Sequence, residues 1–421
     1  MIGGGVRPGP FGRAPLVSAC GVFSLMSLRT QTDASETLPA AAAMARDDAG
    51  EDRAMREAIR CARRGIGTTH PNPRVGAVVL RRGAILARGY HARAGEAHAE
   101  VRALDLAGAA AAGATLVVTL EPCPHVGRTP PCVDAILRAG IRRVVIGMLD
   151  PNPLVDGKGV ARLRANSVDV SIGLREDECR ALNPPYLKWR STGLPWVTLK
   201  SMVSLDGRIA DATGASHGLG GPEEQRLVHR LRAENDAVLV GIGTVLRDDP
   251  LLTVRLTPRR GGPAPCRVVL DSSLRTPLAS RLVTSAREAP LLLATTSPHA
   301  ARAREYEDRG AEVWKFAPGS DGRVPLEPLL RRLADEGRYA LLVEGGPTVH
   351  TAFLRSGLAD EIAVGIAPIL LGSVSAPTWT GDLGRNGLSE GIVIGPLAVR
   401  RLGKDVWLTG RIAGREGVPV V

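Results

Sequence analysis

TLEPCPHVGRTPPCVDA, residues 119–135, sets Cys123 and Cys132 in a proline-rich loop with eight residues between them. The run leading into it, ATLVVTLE (114–121), is apolar and short, as a buried strand is. From the second cysteine onward, CVDAILRAG (132–140) has helical spacing and stops at Gly140. One cysteine therefore follows a strand and the other begins a helix. Upstream, HAEVRALDLAGAAAAG (98–113) starts a further helix at His98, with Val101, Leu104 and Ala107 on one face. The partial positive charge of helix N-termini lowers the pKa of nearby thiols, so thiolates are favoured at such points. One histidine and two cysteines leave the fourth position of a tetrahedral zinc site open, which is the catalytic rather than the structural arrangement.

Glu100 lies two residues past His98 and need not bind the metal. Beside the open position it can take a proton from water and return it to a leaving amine. His-x-Glu, then Pro-Cys and a second Cys, is the signature of zinc deaminases, with eight residues here in place of the usual two between the cysteines. His125, between the cysteines, reads as a loop residue lining the substrate pocket.

The remaining composition narrows the function classes. The 421 residues suffice for two or three domains. No apolar run is long enough for a membrane span, so no membrane partner is expected. The net charge of +11 rests almost wholly on arginine, since the chain has five lysines. These arginines are scattered, with few aromatics between them, so nucleic acid is not expected as a partner and a phosphorylated small molecule is. The six cysteines, Cys20 to Cys266, are too widely spread for a compact disulfide framework, and Cys61, Cys179 and Cys266 read as small apolar residues in a reducing, cytoplasmic setting.

Residues 1–45 differ from the rest of the chain. They hold GGG, PGP and PAAAAM, and Asp33 and Glu36 are their only acids. They read as a disordered or mis-started extension, or as a transit peptide that would direct the chain to a plastid. Helices and strands then alternate over 46–190, beginning with a helix over Met55–Arg64, which makes an α/β layer domain. LNPPYLKWRSTGLP (182–195) reads as a linker from its prolines. A second α/β domain occupies 191–413, with strands at 195–203, 236–243, 266–271, 290–296, 311–317, 339–346, 361–370 and 405–412, and a tail follows at 414–421. In the second domain, YALLVEGGPTVHTAFL (339–354) is a strand, a Glu-Gly-Gly turn and a helix. Such a turn lets backbone N–H groups approach a phosphate, although it is not the GxGxxG fingerprint of a Rossmann fold.

THPNPRVGAVV (69–79), GYHARAGEAHAEVRAL (89–104), VTLEPCPHVGRTPPC (118–132), DPNPLVDGKG (150–159), LKSMVSLDGRIA (199–210), LVGIGTVLRDDPLLTVR (239–255) and LLVEGGPTVHTAFL (341–354) together resemble the bifunctional deaminase/reductase family of riboflavin biosynthesis. The resemblance runs from about residue 50 to 412 and includes the eight-residue cysteine gap. It implies a cytidine-deaminase-like α/β/α domain followed by a dihydrofolate-reductase-like α/β domain. The first would hydrolyse the 2-amino group of a phosphoribosylated diaminopyrimidine, and the second would reduce ribosyl to ribityl with NADPH. Carried over by position, His98, Cys123 and Cys132 hold zinc, Glu100 shuttles protons, and Asn72 and His91 line the deaminase pocket. NADPH falls to Met202, Gly218, Thr244, Asp248, Ser272, Gly346, Pro347 and Thr348. The reductase substrate falls to Lys200, Ser216, Arg232, Leu252, Arg255 and Glu344, with the two arginines suited to a phosphate. The resemblance also implies a homo-oligomer formed through the reductase domain.

One stretch departs from the family pattern. Where Ser-x-Trp-Ile-Thr-Gly is usual, the chain reads Ser216-His217-Gly218-Leu219-Gly220-Gly221, and Gln225 and Leu227 stand where Arg and Asp are expected. Losing a tryptophan and a threonine from the wall of the site implies a weakened or altered reductase beside an intact deaminase.

Overall fold

The computed structural model describes residues 47–216, 218–257 and 262–413, so the readings of residues 1–45, His217 and the tail at 414–421 fall outside the described residues. The first part of the chain runs α1 (Asp48–Ala62), β1 (Gly76–Arg81), β2 (Ala84–Tyr90), α2 (Ala99–Ala107), β3 (Thr115–Val118), α3 (Cys132–Arg138), β4 (Arg143–Ile146), α4 (Lys158–Ala165), β5 (Asp169–Ile172), α5 (Glu176–Arg180) and α6 (Pro184–Thr192). The first helix begins well before Met55, because Asp47 caps it, its carboxylate accepting from Gly50 N at 2.9 Å.

Five strands form one sheet in the order β2-β1-β3-β4-β5, antiparallel at β1 and parallel from β3 to β5. The strands carry apolar side chains on both faces, as a sheet covered on both sides requires. On one face Val79, Leu116, Val118 and Ile146 pack with Ala103 and Leu104 of α2 and Val133 and Ile136 of α3. On the other, Val78, Val117 and Val145 pack with Met55, Ala58 and Ile59 of α1.

The second part runs β6 (Trp196–Ser204), α7 (Pro222–Glu234), β7 (Ala237–Gly241), α8 (Ile242–Asp248), β8 (Cys266–Leu270), α9 (Arg281–Thr284), β9 (Leu291–Thr295), α10 (Ala300–Glu307), β10 (Glu312–Lys315), α11 (Leu326–Asp335), β11 (Ala340–Val343), α12 (Pro347–Arg355), β12 (Glu361–Ala367), β13 (Ala398–Leu402) and β14 (Asp405–Arg411). Its nine-stranded sheet has the order β10-β9-β8-β7-β11-β6-β12-β14-β13. All neighbours from β10 to β12 are parallel, and β14 and β13 are antiparallel. The carboxyl ends of β8, β7, β11 and β6 therefore share one edge of the sheet, which is where open parallel sheets bind ligands.

The segment 182–195 is not a linker. Pro184 and Pro185 sit in the first turn of α6, where a missing N–H costs nothing, so they start a helix instead of breaking one. This helix ties the two sheets together. Lys188 Nζ lies 2.5 Å from Asp360 Oδ2, and the same oxygen accepts from Val197 N at 2.7 Å. Both charged side chains are almost fully buried. Among the described residues, no helix is long and apolar enough to cross a membrane.

Candidate active sites

In the first sheet, the loop leaving β3 and the starts of α2 and α3 converge on one point. His98 is the N-cap of α2 and Cys132 the first residue of α3. His98 Nδ1 lies 3.1 Å from Cys132 Sγ and 3.7 Å from Cys123 Sγ, and the three donor atoms lie within 4.8 Å of one another. Ligands at about 2.0–2.3 Å from a tetrahedral zinc stand at such separations, so this donor set fits the ion. Neither α2 nor α3 has a side-chain cap, and in the first turn of α3 Val133 N donates to Cys123 O at 3.3 Å. Cys132 N donates to Cys123 Sγ at 3.4 Å. The contact with Cys132 and, against the opposing effect of burial, the one with His98 pull the Cys123 thiol down to about 4. Its partner Cys132 is pushed up by that same contact and by burial.

Glu100 lies in the first turn of α2 and is buried at 3% exposure. Burial pushes its carboxyl above the ordinary carboxylate range, which suits a group that must hold a proton and give it up. His91 and Asn72 meet side by side, Asn72 Nδ2 being 3.0 Å from His91 Nε2, and the His91 ring stands edge-on to His98 at 5.2 Å. Asn72, His91, His98, Glu100 and Cys123 border one cavity of about 360 Å³, and so does His125.

Sequence reasoning missed several walls of this cavity. Thr129 places its hydroxyl 3.4 Å from His98 Nε2. Glu121 looks like a second acid at the site. It is instead a buried anchor, its carboxylate accepting from Gly157 N at 3.0 Å and Val160 N at 3.1 Å, which pins the 150–159 loop over the cavity. Trp189 of α6 and Tyr339, just before β11, also line it. Nothing local in the sequence marks Tyr339, which reaches the cavity from the other sheet by tertiary packing.

The second constellation lies along the carboxyl edge of the nine-stranded sheet. Met202 is on β6, Thr244 and Asp248 are on α8 after β7, Ser272 follows β8, and Gly346, Pro347 and Thr348 open α12 after β11. The N-terminus of α12 has no side-chain cap, and a Cβ at Gly346 would meet nothing within 4 Å, so the Gly346–Thr348 turn has room for an anionic group beside the helix start. These features fit a dinucleotide phosphate. Gly345 serves packing, since a Cβ there would come within 2.7 Å of Val349 Cβ. Ser272 Oγ accepts from Val324 N at 3.2 Å, which fixes that loop.

The residues expected at the reductase substrate form a charged cluster. Arg232 grips Glu344 with two parallel bonds, Nε to Oε1 at 2.6 Å and Nη2 to Oε2 at 2.8 Å. Its remaining Nη1 donates to Thr253 O at 3.4 Å. Burial pushes the Glu344 carboxyl up, but Arg232, and more distantly Lys200 and His229, hold it below its ordinary range. Leu252 is buried with φ of +54°, a left-handed backbone that aims the loop back toward α7. Arg255 N donates to His229 Nδ1 at 2.8 Å, and Arg255 as a whole is more exposed than Arg232. Ser216 and Gly218 stand on the loop before α7, and Gly218 has φ of +93°.

Residues 49–148 match the cytidine and deoxycytidylate deaminase zinc-binding region, and residues 195–407 match the RibD C-terminal domain. The chain is 43% identical over 352 residues to riboflavin biosynthesis protein RibD of Aquifex aeolicus, covering 84% of this chain and 96% of that one. It is 44% identical over 331 residues to RibD of Escherichia coli, covering 76% and 88%. A structure of RibD from Acinetobacter baumannii superposes with a TM-score of 0.78 at 37% identity, covering 87% of this chain and 99% of that one. The deaminase/reductase of Thermotoga maritima superposes with a TM-score of 0.76 at 34% identity, over the same shares of the two chains. With a deaminase zinc region on the first sheet and a reductase domain on the second, the chain belongs to the RibD family of bifunctional deaminase/reductase enzymes of riboflavin biosynthesis.

Proposed function

We propose that His98, Cys123 and Cys132 hold one zinc ion and that Glu100 shuttles protons beside it. The observation that carries this is the convergence of one nitrogen and two sulfurs within 4.8 Å, next to a buried carboxylate at the cavity wall. Bound zinc supplies the Lewis acidity that makes water a nucleophile near neutral pH. Glu100 takes a proton from the attacking water and returns it to the departing 2-amino group. Asn72 and His91 hold the pyrimidine edge, and Trp189 and Tyr339 wall the ring in. The substrate is the diaminohydroxyphosphoribosylaminopyrimidine named for the Thermotoga relative.

The deaminated product is then reduced at the second site, where NADPH supplies the hydride. Met202, Gly218, Thr244, Asp248, Ser272 and the Gly346–Thr348 turn hold the cofactor along the strand edge. Ser216, Lys200, Leu252, Arg255 and Glu344 hold the sugar phosphate, with Arg255 as its guanidinium contact. Arg232 acts mainly through Glu344, because two of its donors are already engaged there. The domains divide at about residue 190, inside α6. Self-association through the reductase domain has the exposed residues of β13 as a surface, and the absence of a disulfide among the described residues suits a cytoplasmic setting. Chelation tests the division of labour. Stripping zinc abolishes loss of the amine and leaves reduction of the deaminated intermediate unchanged. Equal loss of both steps would overturn it.

A further inference from the structure

The loop 216–221 has lost side chains that the family pattern contains, yet the space at Gly220 is filled. Glu224, in the first turn of α7, turns its carboxylate into it. A Cβ at Gly220 would lie 2.5 Å from Glu224 Oε2 and 2.9 Å from its Cδ, closer than atoms can approach. With glycine at 220 the carboxylate keeps this position, and a Cβ there would push it aside. Gly218 differs: a Cβ there would meet nothing within 4 Å, and its glycine answers to φ of +93° alone.

From this seat Glu224 Oε1 reaches Lys200 Nζ at 2.9 Å. Both side chains are shielded, at 13% exposure for Lys200 and 6% for Glu224. Apart from that ammonium, Glu224 Oε1 has no hydrogen-bond partner among the described residues. Burying two charges is unfavourable unless each answers the other, so the lysine head and the carboxylate constrain one another's position. Lys200 projects from β6, where its backbone is registered against Ala363 of β12, so its root is fixed and the carboxylate fixes its tip. Lys200 is also near enough to Glu344 to help hold that carboxyl ionised. The ammonium thus pairs directly with Glu224 and also acts on Glu344 of the substrate cluster.

We propose that Glu224 is a positioning residue of the reductase site: from the space left by Gly220, its carboxylate holds the Lys200 ammonium in register with the sugar phosphate. The glycine and the glutamate act as one unit that replaces a hydroxyl-bearing side chain at position 220. This rests on the reading that Lys200 meets the reductase substrate.

The test uses the full chain, the deaminated intermediate and NADPH, with the deamination rate of the same preparation reporting that each variant is folded. Glu224→Gln, nearly the same size but uncharged, raises KM for the intermediate by about 10- to 100-fold, as misplacing one contact does, while KM for NADPH stays unchanged. Gly220→Thr alone gives a loss of the same kind, because its Cβ evicts the carboxylate. Adding Glu224→Ala to Gly220→Thr costs nothing further, because the carboxylate is already displaced. Additive losses, or an unchanged KM in Glu224→Gln, would overturn the proposal. Lys200→Met separates it from the role of Lys200: a raised KM there with none in Glu224→Gln sinks only Glu224, whereas an unchanged KM in Lys200→Met sinks the role of Lys200 itself.

Discussion

The indole of Trp189 lies flat against the ring of Tyr339, with 3.9 Å between centroids and 15° between planes. Trp189 belongs to α6 and Tyr339 leads into β11, so the stack joins the two sheets, and both rings border the deaminase cavity. Asp236 fixes the same joint, accepting from Tyr339 N and Ala340 N at 2.8 Å each and meeting His70 Nδ1 at 3.0 Å. The reductase half thereby supplies a wall of the deaminase pocket. Replacing Tyr339 by Ala removes an aromatic pair worth about 0.5–1.5 kcal/mol beyond its buried area. We expect a several-fold rise in KM for deamination, unchanged zinc content and unchanged reduction of the deaminated intermediate. Unaltered deamination kinetics would show that the stack is only structural.

Glu100→Gln keeps the shape of the α2 start and removes the proposed proton carrier. Zinc stays at one per chain, and kcat for deamination falls about 10²- to 10⁴-fold, the usual worth of a positioned acid–base group. Metal analysis and rate together decide this, since loss of zinc in the Gln variant would make Glu100 part of the metal site instead.

Arg232→Ala leaves Glu344 buried without its bidentate partner. Breaking such a pair costs about 3–5 kcal/mol, so the reductase domain unfolds at lower urea concentration and its KM for the intermediate rises. Deamination at low urea is untouched. A stability equal to that of the parent would mean that the pair contributes nothing net.

His229 gives a pH signature. Its Nδ1 accepts from two backbone N–H groups, Arg255 at 2.8 Å and Leu256 at 3.4 Å, and so must be unprotonated. Burial, with the charges of Arg232 and Arg255, holds this histidine down at about 4, against an ordinary 6.5. Because the folded state resists protonation, its contribution is complete above the ordinary value and is lost as pH falls from there toward about 4. His229→Gln, which can still accept, flattens that part of the stability profile. Equal acid sensitivity in the two proteins would remove His229 as its cause.

Legibility follows locality. The zinc cluster can be read because each ligand stands at a boundary between elements that periodicity marks: His98 and Cys132 at helix starts, Cys123 just after a strand. The helix at 222–234 is equally plain, from its proline at the first position and its apolar spacing. The segment 182–195 misleads because proline signals both linker and helix start, and only its docking through Lys188 and Trp189 decides between them. The strand β5 is only four residues long and β13 is exposed over all but its last residue, so neither carries a strong apolar signal. Tyr339 and the carboxylate at Gly220 are out of reach because they are facts of tertiary packing between residues far apart, or of space that an absent side chain leaves open.

The central claim is tested most directly by incubating the purified chain with the diaminopyrimidine phosphate, with and without NADPH, and following product mass. The account predicts replacement of one amine by oxygen in both cases and a further gain of two hydrogens only with NADPH. Deamination that stops there in the presence of NADPH would contradict it, because the glycine-bearing loop would then mark a reductase domain without its chemistry.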